Sequence, residues 1–211
     1  MLKTHFMVFE TKRKKLDQAF EIKINDQQIE KVQCTKFLGL HIDDELSWRK
    51  HIEQISTKIS KMTGIMAKAR HILSIQTVKT IYNTMVYLHL TYCSVIWTSN
   101  YPTRLESIPT IQKKLLRIMT FSSYQEKSKP LFQSLKILDI YESNKYLIAL
   151  FMSSYFSNNL PKYFNNYFIL NKNIHSHDTQ SASNIFIDYK RKSYGKFSLK
   201  YRGHKFGITY Q

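Results

Sequence analysis

The chain has 211 residues, enough to bury a core without disulfide or metal staples. Lys and Arg number 32 against 15 Asp and Glu, a formal net charge of +17, while 43% of residues are apolar and 14% aromatic. That composition excludes both a stapled mini-protein and a charged disordered tail, and such excess charge calls for a polyanionic partner, either nucleic acid or an anionic membrane surface.

Cys34 and Cys93 are the only cysteines, too few and too far apart for a zinc site or a disulfide framework, which points to a reducing compartment. The first fifteen residues hold only a short apolar stretch, broken by His5, and do not read as a secretory signal. Thr80 to Tyr101 comes nearest to a membrane span, but its Asn83, His89 and spaced Thr and Ser suit a buried helix better. The expectation is an intracellular protein, nuclear or cytoplasmic, not secreted and without a membrane partner.

In chain order, Thr4 to Phe9, Phe20 to Ile24 and Gln33 to Ile42 are rich in aromatic and β-branched residues and predict strands, with Asn25-Asp26 as a tight hairpin turn. From Leu46 the period becomes helical. Trp48, Ile52, Ile55, Ile59, Met62, Met66 and Ala69 line one helix face, with Asp43 or Asp44 at the N-cap. Ser74 to Thr98 starts with a serine cap and is apolar on several faces, which predicts the central buried helix. Thr103 to Phe121 carries an apolar stripe interrupted by Pro109, a kink or a later helix start. Asp139 to Asn158 predicts another helix, ended by Pro161. Beyond Asn171 the chain turns to His, Ser, Asn and Tyr without a helical stripe, and reads as an irregular basic tail with room for short strands.

The charge is not evenly spread. Residues 1–45 are neutral, 46–125 carry +9, 126–170 carry +2 and 171–211 carry +6. On the first helix, at 100° per residue, Lys50, Lys61 and Lys68 fall within about 20° of one another, with Lys58 about 80° away and the apolar stripe on the far side. Glu53 is the only acid between Leu46 and Arg70. A merely solvated face usually mixes signs to gain i,i+4 pairs, so this face is a candidate for phosphate contact. Lys113, Lys114 and Arg117 accompany the stripe of the later helix and extend the candidate set.

FLGLHIDDELSWRKHIEQISTKISKMTGIMAKAR, Phe37 to Arg70, resembles the segment that follows the palm in reverse transcriptases of non-LTR retrotransposons. The matching pieces are Lys3, Thr4 and Phe9; Lys36 to Leu40; Ile42-Asp43; Leu46, Trp48 and His51-Ile52. IYNTMVYLHLTYCSVIW, with SHDTQSAS and YGKFSLKYRG, is similar to the same family's next helix and C-terminal tail. The resemblance implies that Lys3 lies near the incoming nucleotide as an acid for pyrophosphate. It also implies that Phe37, Leu38 and Gly39 form a primer grip, and that a thumb tracks a template-primer duplex by shape and phosphates. The glycine suits such a turn because it permits positive φ.

Nucleotidyl transfer in that family uses two metal ions clamped by clustered aspartates, including a [FY]xDD pair. No such pair occurs in this sequence. Asp43 and Asp44 stand before a helix where capping accounts for them, and His175, His177 and Asp178 form H-x-H-D without a third ligand in sensible spacing. No catalytic or metal-binding residue is therefore expected, no cofactor is assigned to this fragment, and magnesium is expected only in a complete polymerase. The predicted fold class is α+β, predominantly α. Its predicted parts are a small antiparallel palm remnant with a primer-grip hairpin (1–45), a basic helical thumb-like bundle (46–125), a helical connection (126–170) and a basic irregular tail (171–211). The expected function is template-primer binding as a truncated piece of an RNA-directed DNA polymerase, inactive alone. Its expected partners are RNA, DNA and the missing palm and fingers. The alternatives are a non-enzymatic basic helical interaction module and a decayed transposon product.

Overall fold

The computed structural model describes residues 4–10, 21–174, 184–186 and 193–207. Lys3 and the whole His175 to Ser183 stretch, with its H-x-H-D motif, lie outside the described residues. The architecture is α+β with helix predominant, and the chain divides into two compact units, Met1–Lys58 and Ile59–Gln211.

Short strands make up the first unit. β1 (His5–Phe6) pairs in parallel with β4 (Glu30–Lys31), whereas β2 (Lys23–Ile24) pairs antiparallel with β3 (Gln27–Gln28) and β5 (Cys34–Phe37) with β6 (Leu40–Asp43). The β2–β3 turn is the predicted Asn25-Asp26, both with positive φ (48° and 60°). That geometry matches the right-handed twist of the strands, and Asn and Asp tolerate it. The predicted strand Gln33 to Ile42 turns back at Leu38-Gly39 into the hairpin that the resemblance implies for that turn, registering Phe37 against Leu40. Among the described residues of this unit, Ile29, Leu40, Trp48, Ile52 and Ile55 are the buried apolar side chains.

A helix start at Leu46 is corrected by the structure. Leu46 and Trp48 both adopt positive φ (51° and 59°), and α1 begins later, spanning Arg49–Ala69. Asp43 does cap, but it caps the turn before the helix. Its carboxylate accepts from the Ser47 N–H at 2.6 Å and from Ser47 Oγ at 3.2 Å. Within α1 the predicted apolar stripe is the buried one, with Ile52, Ile55, Ile59 and Met66 at most 6% exposed.

The second unit is helical. Ser74 accepts from the Thr77 N–H at 3.3 Å and starts α2 (Ile75–Tyr82) as predicted. The expected single helix to Thr98 is broken, however. A π-helical turn (Asn83–Tyr87) leads into α3 (Leu88–Thr91), and Cys93 in the left-handed region (φ 49°) separates it from α4 (Ser94–Trp97). The indole N–H of fully buried Trp97 donates to the Tyr92 carbonyl at 2.9 Å, satisfying an acceptor freed at the break. Pro102 opens α5 (Pro102–Leu105), and α6 (Ser107–Thr120) starts two residues before Pro109. The proline thus occupies the first turn, where its missing N–H costs no helical bond.

After α7 (Ser128–Leu135), α8 (Ile140–Phe156) begins with a full capping box, Asp139 and Glu142 exchanging side-chain bonds with each other's N–H groups. Gln112 of α6, wholly buried, ties three elements. Its Nε2 donates to the Tyr82 hydroxyl at 2.9 Å, while its Oε1 accepts from the Ile140 N–H at 3.0 Å. Burial pushes the Tyr82 phenol up to about 12, so it stays protonated.

The expectation of an irregular region beyond Asn171 needs a correction. α9 (Ser193–Lys196) and α10 (Leu199–Gly207) are helical. Arg202 donates to Ser99 Oγ at 2.5 Å and to Asn144 Oδ1, and Asn144 in turn donates to the Ser94 carbonyl at 3.3 Å. Gly203 lies against Met152 and Phe168, which with Ile148 and Ile185 form a buried cluster. The stripe is hard to read because the buried positions of this helix are Gly203 and His204, with Leu199 and Arg202 only partly covered.

Candidate nucleic-acid interface

The β5–β6 hairpin ends in an exposed tip. Phe37 is 59% and Leu38 73% exposed, and Gly39 is exposed as well. Leu38 (φ 46°) and Gly39 (φ 83°) both lie at positive φ, the mirror-image geometry of two-residue hairpin loops. Glycine accepts it freely. Leucine does so only against the clash of its Cβ, roughly 1–2 kcal/mol.

Just behind the tip, the His41 N–H donates to His51 Nδ1 at 3.4 Å, and His51 is only 5% exposed. Burial, then the charges of Lys50, Lys36 and Lys58, hold His41 below its ordinary range. Burial, then His41 and Lys58, push His51 down to about 4. Both imidazoles are therefore neutral at physiological pH, held so by burial and by the lysines around this end of α1.

Along α1, Lys50, Lys58, Lys61 and Lys68 are all exposed. By helical periodicity Lys50, Lys61 and Lys68 stand opposite the buried Ile52, Ile59 and Met66, and Lys58 stands on the flank. Gly64 falls on the lysine side, and a Cβ built there would meet nothing within 4 Å. On α6, Lys113 and Lys114 are exposed and, with Arg117, point away from buried Ile108, Leu115 and Met119. Arg117 is half-buried and differs from the lysines, because its Nε and Nη2 donate to the Glu126 carbonyl at 3.3 and 3.0 Å. Among the described residues none of the six lysines forms an ion pair, so their charge is available to a partner.

Two groups went unnoticed in the sequence. Phe121 and Tyr124 follow α6 in a polar loop and are 57% and 86% exposed. The Arg70 guanidinium lies 3.7 Å from the Phe121 ring centroid, and that of Arg117 lies 5.3 Å from the Tyr124 ring. Aromatics interleaved with basic residues just past a helix were the available signal.

Among the described residues no three His, Cys, Asp or Glu side chains come together to hold a metal ion, and Asp43 is engaged by Ser47. No helix among them is long and apolar enough to cross a membrane.

Over 128 residues, 58% of its length, the chain is 26% identical to the probable RNA-directed DNA polymerase from transposon X-element of Drosophila melanogaster. Over 120 residues, 55% of its length, it is 28% identical to the RNA-directed DNA polymerase from mobile element jockey of Drosophila funebris. The matched stretches cover only 14% and 13% of those two proteins. No family model matches the chain, and no solved structure does. In sequence, then, the chain is similar to a small part of non-LTR retrotransposon polymerases, in agreement with its motifs.

Proposed function

We propose that the chain is the template-primer-contacting part of an RNA-directed DNA polymerase of the non-LTR retrotransposon kind, and that it carries none of the metal-holding carboxylates itself. One observation carries the reading: exposed lysines, unpaired among the described residues, recur along the side of α1 opposite its buried stripe. Phosphates repeat along a strand, and ammonium groups that recur on one side of a helix meet them without reading sequence. Two relatives whose names include RNA-directed DNA polymerase add support. In this reading α1 and α6 act as thumb helices, and Phe37, Leu38 and Gly39 seat the end of a primer through the open hairpin tip.

The magnitude follows from counterion release. If all six lysines contact phosphates, the logarithm of affinity falls against the logarithm of salt with a slope of about −5. Replacing Lys50, Lys61 and Lys68 together by Gln reduces that slope by about 2.7 and weakens binding at low salt. Fluorescence anisotropy with an RNA–DNA duplex across a salt series measures both. An unchanged slope in the triple variant, or no duplex binding by the wild type, ends this reading. Binding of an acidic protein with the duplex ignored would favour an interaction module in its place.

A further inference from the structure

The loop that follows α6 carries aromatic side chains that neither the core nor duplex tracking explains. Phe121 ends the helix in the left-handed region (φ 57°), its N–H donating to the Arg117 and Ile118 carbonyls. Glycine or asparagine takes that conformation freely, whereas an aromatic residue takes it against steric cost. The cost brings no burial, since the ring is 57% exposed. What it does bring is a fixed stack. Arg70 lies over the ring at 3.7 Å while its Nη1 donates to the Ile118 carbonyl at 2.6 Å, and His71 meets the ring edge-on at 5.2 Å. The Nε of Arg70 is buried and makes no hydrogen bond among the described residues.

Three residues on, Tyr124 is 86% exposed and accompanied by Arg117, which the Glu126 carbonyl holds in place. Lys113, Lys114, Lys127 and Lys129 are exposed nearby in sequence, and Glu126 is the only acid between Ser107 and Leu138. Flat π-faces beside fixed guanidinium groups in a positive surround match one ligand chemistry, a planar base joined to a phosphate. In a duplex the bases are stacked on one another and their faces are closed. Two exposed aromatic rings therefore call for unpaired nucleotides.

We propose that Phe121 and Tyr124, with Arg70 and Arg117, form a stacking site for single-stranded RNA or DNA, separate from the lysine face of α1. The inference rests on the nucleic-acid reading above and adds to it an unpaired stretch of strand as a second ligand. Stacking is sequence-tolerant and does not use the 2′-hydroxyl, so short uridine and deoxythymidine oligomers bind with similar affinity.

The test uses the full chain and anisotropy with three probes: a single-stranded deoxythymidine oligomer, an abasic oligomer of equal length, and a blunt RNA–DNA duplex. Tyr124→Ala, and Phe121→Asn, which keeps the left-handed cap, each weaken binding of the thymidine oligomer about five-fold or more. Tyr124→Phe retains the ring and stays within about two-fold of wild type. Binding of the abasic oligomer and of the blunt duplex is the same for all variants. The inference is overturned if both ring deletions leave thymidine binding within about two-fold, or lower abasic and thymidine binding alike. Lysine-dependent duplex binding that accompanies such a result sinks the stacking site alone. Absence of binding to every probe sinks it together with the nucleic-acid reading.

Discussion

The same substitution at two glycines of the second unit should act with opposite sign. A Cβ on Gly203 of α10 would lie 2.7 Å from Met152 Sδ and 3.0 Å from Phe168 Cζ, whereas one on Gly64 of α1 would meet nothing within 4 Å. Met152 is fully buried and Phe168 is 7% exposed, so neither can swing into solvent. Moving α10 outward instead would stretch the Arg202 bonds to Ser99 and Asn144. Replacing an interior helix glycine by alanine gains about 1 kcal/mol in propensity. Overpacking a core costs about 1–3 kcal/mol. Gly64→Ala therefore stabilises by about 1 kcal/mol, and Gly203→Ala destabilises by about 1 kcal/mol, with a range from near zero to about 2. Because the propensity gain is common to both, the difference between the variants isolates the packing term. At roughly 2–4 °C per kcal/mol for a unit of this size, Gly64→Ala melts about 2–4 °C higher than wild type. Gly203→Ala melts below Gly64→Ala by about 2 °C at least. Far-UV circular dichroism melts of the two variants and wild type measure it. Equal increases in both would mean that α10 does not pack on Met152 and Phe168, and the described docking of this helix would be wrong.

Two further outcomes concern the first unit. Leu38→Asn puts a residue that tolerates positive φ into the hairpin turn and removes little burial, so the melting temperature holds or rises slightly. Affinity for a recessed primer end should nevertheless drop a few-fold in anisotropy while the salt slope stays the same; unchanged affinity would remove the tip from the interface. His51 supplies a pH dependence. The unfolded chain takes up its proton near 6.5 and the folded one only near about 4. As pH falls through that window the unfolded state binds more protons, and stability declines; above 6.5 this group contributes no slope. In His51→Gln, thermal midpoints recorded across the window should decline less steeply than in wild type, and an identical profile would contradict the buried neutral imidazole.

What could be read from the chain alone was whatever neighbours in sequence decide. The Asn25-Asp26 turn, the Ser74 cap, the helix that starts after Asp139 and the α1 stripe are settled by hydrogen bonds and periodicities a few residues long. The exposure of Lys50, Lys61 and Lys68 follows from the same periodicity, because the opposite face is apolar enough to be buried.

Tertiary structure decided the rest. Ser74 to Thr98 is apolar on several faces, so no stripe marks where the helix must stop, and the left-handed turn at Cys93 carries no sequence signal such as glycine. The start of α1 moved to Arg49 because Asp43 closes its own turn with Ser47 before the helix begins. α10 is held by an arginine bonded to residues 103 and 58 positions away, partners that no window of sequence contains. The stacking pair depends equally on distance, since Arg70 reaches Phe121 only after α1 and α6 are folded. Local bonding chooses the elements, whereas burial and charge brought together over long separations choose where they end and which side chains remain open to a partner.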